Sequence, residues 1–190
     1  MAVSTIVTNS IADDAVTAAK VTGLGKIGQV VTTTFTGTES TTVNLSSNDS
    51  YTTSSVAATL TPTATSSKIY VACTINTGSS DASNGAHIGR FLMAISGGST
   101  TAEFRGDANG SAKRNSSGRG NESQGSATIL TNGFNFVVSP STTSAVTISY
   151  QFATRGGGSG TAYINRAGND GTSTEDGRTA SAITLMEILA

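Results

Sequence analysis

Apolar and polar residues alternate with a period of two along most of this chain, and clusters of Gly, Ser, Asn and Asp break the alternation at intervals. The clearest case is 145–153, where Val146, Ile148, Tyr150 and Phe152 fall on one face and Thr147, Ser149 and Gln151 on the other, as a half-buried strand requires. The same reading predicts strands over 27–35, 54–60, 68–77, 88–96, 101–105, 127–138, 145–153, 161–165 and 182–189. In the last of these Ile183, Leu185 and Glu187 share one face and Thr184, Met186 and Ile188 the other. Both faces are largely apolar, so a central or interfacial position is expected. Within 127–138 the pair Asn132-Gly133 interrupts a long apolar run and predicts either a tight hairpin turn or a bulge. Strands that follow one another without helices between them predict an all-β fold, an antiparallel β-sandwich with jelly-roll-like or Greek-key connections over residues 25–190.

The N-terminal segment obeys a different period. Ser10 precedes Ile11 and is followed three residues later by Asp13, a start resembling a capping box with two acids in the first turn. Ile11, Ala15 and Ala19 recur every four residues, Val16 flanks them, Lys20 sits in the last turn and Gly23 offers a stop. A short helical arm is therefore expected within residues 1–24. A helix of roughly ten residues is marginal alone in water, so it must dock on its own domain or, the reading preferred, on the equivalent arm of another subunit.

Composition thins the expected core. Among 190 residues there are 32 Thr and 27 Ser against seven Leu and no Trp, so hydroxyls cover the wet faces and β-branched residues fill the inside. A thin core gains from burying surface against identical copies, which predicts self-association. With 12% charged residues and a formal net charge of −1, no sequence-wide basic field exists, and nucleic acid is not an expected partner. No run approaches the ~20 apolar residues of a membrane span. The first residues lack the basic and long apolar regions of a secretory leader, so synthesis in a cytosol is expected.

The candidate chemistry is sparse. Gly23-Leu24-Gly25-Lys26-Ile27-Gly28 matches G-x-G-x-x-G, but it follows a helix and opens a strand, the reverse of what a dinucleotide site needs, and reads as a hinge. Cys73 lies in an apolar strand and is expected to be buried and inert. His87 is expected in a turn or on the surface, and one His with one Cys cannot make a zinc site. The run 169–176 collects Asp170, Glu175 and Asp176 with Asn169, enough oxygen for Ca²⁺ but without EF-hand spacing, so a solvated loop is preferred. Glu103, Asp107, Glu122, Glu175 and Asp176 could supply a hydrolytic pair, yet no spacing selects one. Neither a cofactor nor a metal is expected. The long polar stretches 106–125, 156–160 and 166–178 read as loops, either mobile or functional. In and beside them stand Arg105, Lys113, Arg114, Arg119, Arg155, Arg166 and Arg178, which with the surrounding Asn, Gln and hydroxyl groups would suit a polysaccharide or protein surface, or else form a solubilising rim.

Four stretches resemble bacteriophage tail-fibre and virion surface proteins. The arm Ser10-Ile11-Ala12-Asp13-Asp14-Ala15-Val16-Thr17-Ala18-Ala19-Lys20-Val21 is similar to the repeated units of fibre stalks. Gly25-Lys26-Ile27-Gly28-Gln29-Val30-Val31, the run Thr61-Pro62 to Ser67-Lys68-Ile69-Tyr70-Val71, and Ser181-Ala182-Ile183-Thr184-Leu185-Met186-Glu187-Ile188 are similar to framework signatures of their sandwich domains. The resemblance implies a non-enzymatic homotrimer in the virion, held to other virion proteins by Ile11, Ala15, Val16 and Ala19. It would be a short tail fibre or receptor-binding tip whose outer loops meet host surface polysaccharide or an outer-membrane protein. The alternative is a capsid decoration protein with an architectural role.

Overall fold

A computed structural model describes residues 26–45, 50–80, 87–118, 127–154, 160–171 and 177–189. The expected arm, with Ile11, Ala15, Val16 and Ala19, lies outside the described residues. Every described element is a strand: β1 (Lys26–Phe35), β2 (Glu39–Thr41), β3 (Thr52–Leu60), β4 (Lys68–Ser79), β5 (His87–Ile95), β6 (Thr100–Glu103), β7 (Ser117–Gly118), β8 (Leu130–Val138), β9 (Val146–Thr154), β10 (Ala162–Ile164) and β11 (Ser181–Leu189). Among the described residues the fold is all-β, with two antiparallel sheets.

Each predicted strand has its counterpart. The pattern misses β2 and β7, three and two residues long, because neither has enough residues to show an alternation. They exist through their partners, β2 on β10 and β7 on β5. The expected break at Asn132-Gly133 does not occur: Thr74 faces Gly133 and Ile75 faces Asn132 in unbroken register with β4. Pairing to a long central strand overrides the local turn preference of the two residues.

In the larger sheet β11 lies between β1 and β4, β8 pairs the other edge of β4, and β10 and β2 extend the row. In the smaller one the order is β3, β9, β5, with β6 and β7 along the same free edge of β5. The inward positions of both form one core that includes Val56, Leu60, Ile69, Val71, Ile75, Phe91, Phe134, Phe136, Ile148, Tyr150, Ile183 and Leu185. Phe91 bridges the layers, with ring centroids 5.1 Å from Phe134, 4.9 Å from Phe136 and 5.3 Å from Tyr150. Each such side chain contributes about 1.5–3 kcal/mol through burial. Beside it Gly89 is required by space, since a Cβ there would stand 1.7 Å from the Tyr150 hydroxyl. That hydroxyl bonds Ser117 Oγ at 2.9 Å and His87 Nε2 at 3.0 Å.

Strand pairing also gives the domain two unlike ends. At one, Lys26 faces Leu189, Ile188 faces Lys68, and both Leu60 and Ile95 face Val146, so the start of β1 and the end of β11 meet the short connections 61–67, 96–99 and 139–145. At the other, Ser79 faces Ala162, His87 faces Thr154 and Thr52 faces Phe152, so β3, β5 and β10 begin there and β4 and β9 end there, with the described polar residues Asn44, Ser80 and Thr161 beside them.

A buried carboxylate closes the first end. Glu187, on the inner face of β11, has no solvent exposure. Gln29 Nε2 donates to it at 2.8 Å and to the Thr61 carbonyl at 2.6 Å, while the Thr63 amide and hydroxyl donate at 2.7 and 2.8 Å. Burial pushes its pKa upward, but the bonds from Gln29 and Thr63, with the Ser67 hydroxyl facing it outside strict hydrogen-bond geometry, outweigh this and lower it to about 2. Three of the four stretches singled out in the sequence, around Gln29, Thr61 to Ser67 and Glu187, meet at this one group.

Candidate functional site

At the polar end a long excursion leaves the edge of the smaller sheet. Glu103 of β6 faces Phe91, and Ser117 of β7 faces Gly89, so residues 104–116 emerge at the level of the one residue between them, Arg90. The excursion starts at Phe104, whose φ of 47° turns the chain off the edge and whose ring stacks on Phe136 with centroids 4.9 Å apart. Its two limbs are tied together by Gly106 N–H donating to the Asn115 carbonyl at 3.0 Å. The far turn closes with Ala112 N–H on the Asn109 carbonyl and needs φ +53° at Gly110, a left-handed position that suits glycine. Tyr51 donates its hydroxyl to Asn115 Oδ1, and Ser116 N–H bonds the Gly89 carbonyl at 2.8 Å, fixing the loop to the sheet.

The folded-back loop forms a pocket of about 240 Å³ lined by Arg90, Arg105, Gly110, Ser111, Ala112, Lys113 and Arg114. Four cations therefore converge, and none of the described carboxylates lines the pocket. Two of them are held in place by the scaffold. Arg90 lies over the Tyr51 ring, 3.9 Å from its centroid, and its Nε donates to Gln151 at 3.0 Å; Gln151 in turn donates to Thr53 at 2.8 Å. Arg114 Nε donates to the Gly106 carbonyl at 2.7 Å. In both, the side-chain nitrogen nearest the chain is engaged and the terminal fork is left for another group.

The sequence-predicted cations thus divide. Arg105, Lys113 and Arg114 come together, while Arg166 and Arg178 do not join them. They pair instead with Asp170: Arg166 at 2.7 Å, also lying 3.8 Å over the Tyr163 ring, and Arg178 at 2.8 and 3.0 Å to the two carboxylate oxygens. The two arginines share one carboxylate, which offsets half of their charge. Asp170, considered above as a Ca²⁺ ligand, is spent with them; Glu175 and Asp176 lie outside the described residues, as do Arg119 and Arg155. Sequence reading missed Arg90, hidden in the strand pattern of β5. The available signal was that it is the only charged side chain in β5 and sits on the outward phase, between inward-facing Gly89 and Phe91.

The remaining reactive groups are structural. Cys73 is buried, and loss of solvent pushes its thiol up to about 12, far from a reactive thiolate. His87, expected in a turn or on the surface, is buried at the start of β5, with its ring stacked against Tyr150 and Phe152. Burial also raises the Tyr150 phenol, so it stays a neutral hydrogen-bonding group. Among the described residues no His, Cys, Asp and Glu cluster has the geometry to hold a metal ion. No described helix is long and apolar enough to cross a membrane. No protein-family model matches the chain, and comparison with curated proteins gives no match.

Proposed function

We infer that this chain is a non-enzymatic virion surface protein, a short tail fibre or receptor-binding tip. Residues 1–24 serve as a helical anchoring arm, and residues 25–190 form a jelly-roll-like β-sandwich that assembles as a homotrimer. The observation that carries this reading is the polarity of the domain. The chain enters at Lys26, beside Leu189, whereas the excursion 104–116 with Arg105, Lys113 and Arg114 leaves the sheet edge at Arg90, nearer the opposite end. An arm that holds one end to other virion proteins leaves the other end to meet a host surface polysaccharide or outer-membrane protein. The stretches that resemble phage proteins support it too, because they converge on Glu187 as a framework signature should.

Self-association is supported by the outer face of the larger sheet. Val30, Met186, Tyr70 and Val137 face one another in a single row across β1, β11, β4 and β8. Ile27 adjoins it, and Ile27, Val30 and Val137 are 61%, 54% and 50% exposed. An apolar band on a wet face is what a sister subunit would cover. Three weak sites on one trimer then multiply through avidity.

The test is labelling of intact particles in the electron microscope with an antibody against this chain. A few copies at the tail are expected. Hundreds of copies over the head would instead identify a decoration protein, and absence from particles would overturn both.

A further inference from the structure

We propose that the pocket formed by Arg90, Arg105, Lys113 and Arg114 binds the carboxylate of an acidic sugar carried on a surface glycan. This deepens the host-attachment reading and rests on it only for where the glycan is found.

The argument begins with charge. Like cations repel, so a fold that places Arg90, Arg105 and Arg114 around one space leaves a field that an anion relieves. Arg90 and Arg114 are pre-set by their Nε bonds to Gln151 and Gly106, so little side-chain entropy is lost when their terminal nitrogens grip a planar carboxylate. Arg105 has no hydrogen bond or ion pair among the described residues and is fully available.

Size and lining then narrow the ligand. About 240 Å³ is smaller than the roughly 300–1,000 Å³ of pockets that enclose drug-sized molecules, so the site takes one pendant group of a larger chain. Protein hot spots combine Arg with Trp and Tyr anchors, and the pocket lining holds no aromatic side chain. Ser111 lines it and Asn109 stands in the same turn, polar side chains that match sugar hydroxyls. A nucleic acid strand needs a track of cations, whereas one pocket meets one phosphate on a chain of net charge −1.

Calorimetric titration of the full-length protein tests this with four probes: oligogalacturonate, a maltooligosaccharide of equal length, inorganic phosphate and a single-stranded oligodeoxynucleotide. Oligogalacturonate is expected to bind well above the neutral sugar and to weaken as salt is raised. The double variant Arg105→Gln, Arg114→Gln should lose about a hundredfold in affinity, the effect of two charge-assisted hydrogen bonds. Arg105→Gln alone removes no described contact, so its reduced binding with unchanged melting temperature separates ligand loss from unfolding. Equal binding of the neutral sugar, a preference for the oligonucleotide, binding of phosphate without the uronate oligomer, or variants that bind as well as the parent would each overturn the assignment. Virion labelling that finds the chain on the head would sink the attachment reading while leaving a positive titration intact, so the two failures are distinguishable.

Discussion

Glu187 concentrates the physics of single residues in this protein. A carboxylate out of contact with water survives because the Gln29 amide and the Thr63 amide and hydroxyl turn toward it. Its pKa falls from 4.5 in an open chain to about 2 in the fold, so the ionised form stabilises the native state. That stabilisation is complete above pH 4.5 and is lost as pH drops from there toward 2. Denaturant midpoints measured across this range should therefore fall steeply for the parent protein. Glu187→Gln places an amide donor against the donors of Gln29 and Thr63, and should cost roughly 1–3 kcal/mol at pH 7 while flattening the acid limb. A parent and variant that lose stability in parallel below pH 4.5 would show that another group controls acid unfolding. The role of Glu187 was half legible in sequence. Its alternation with Ile183 and Leu185 put it on the core face, but its partners stand 124 and 158 residues away, beyond any local pattern.

Among the elements, β11 carries the most. It pairs with β1 over the length of both and with β4 on its other side, so removing it strips two ladders at once and exposes Ile183 and Leu185. Deletion of 181–190 should abolish cooperative unfolding, followed by circular dichroism on heating; a soluble product that still melts sharply would contradict its central place. Long strands of this kind were readable because each has one apolar and one hydroxyl-bearing face, which the period of two records directly. The failures occurred where the partner, rather than the segment, decides the conformation. Asn132-Gly133 stays extended because β4 supplies a neighbour for every residue of β8, and Ser117-Gly118 becomes a strand only because the free edge of β5 receives it.

At the scale of the whole molecule, the outer row Val30, Met186, Tyr70 and Val137 bears on the proposed homotrimer. A carboxylate in its middle would be buried without a partner on assembly. Met186→Asp should therefore raise the dissociation constant by roughly a hundredfold and yield a monomer in sedimentation velocity, with the strand content unchanged. An assembly of unaltered mass would move the subunit contact elsewhere. The candidate site belongs to this scale as well. Arg105, Lys113 and Arg114 were legible as loop cations, but their convergence with Arg90 depends on the excursion 104–116 leaving β5 at that residue.

Sequence alone determined the strand class, the positions of the long strands and which of their residues face inward, because side-chain direction along an extended backbone follows local order and needs no partner. Tertiary structure decided which edges meet, where the excursion 104–116 leaves the sheet, and which cations pair with Asp170 and which line an open pocket. Those outcomes rest on pairings between residues far apart in the chain, and a period of two carries no information about distance across a fold.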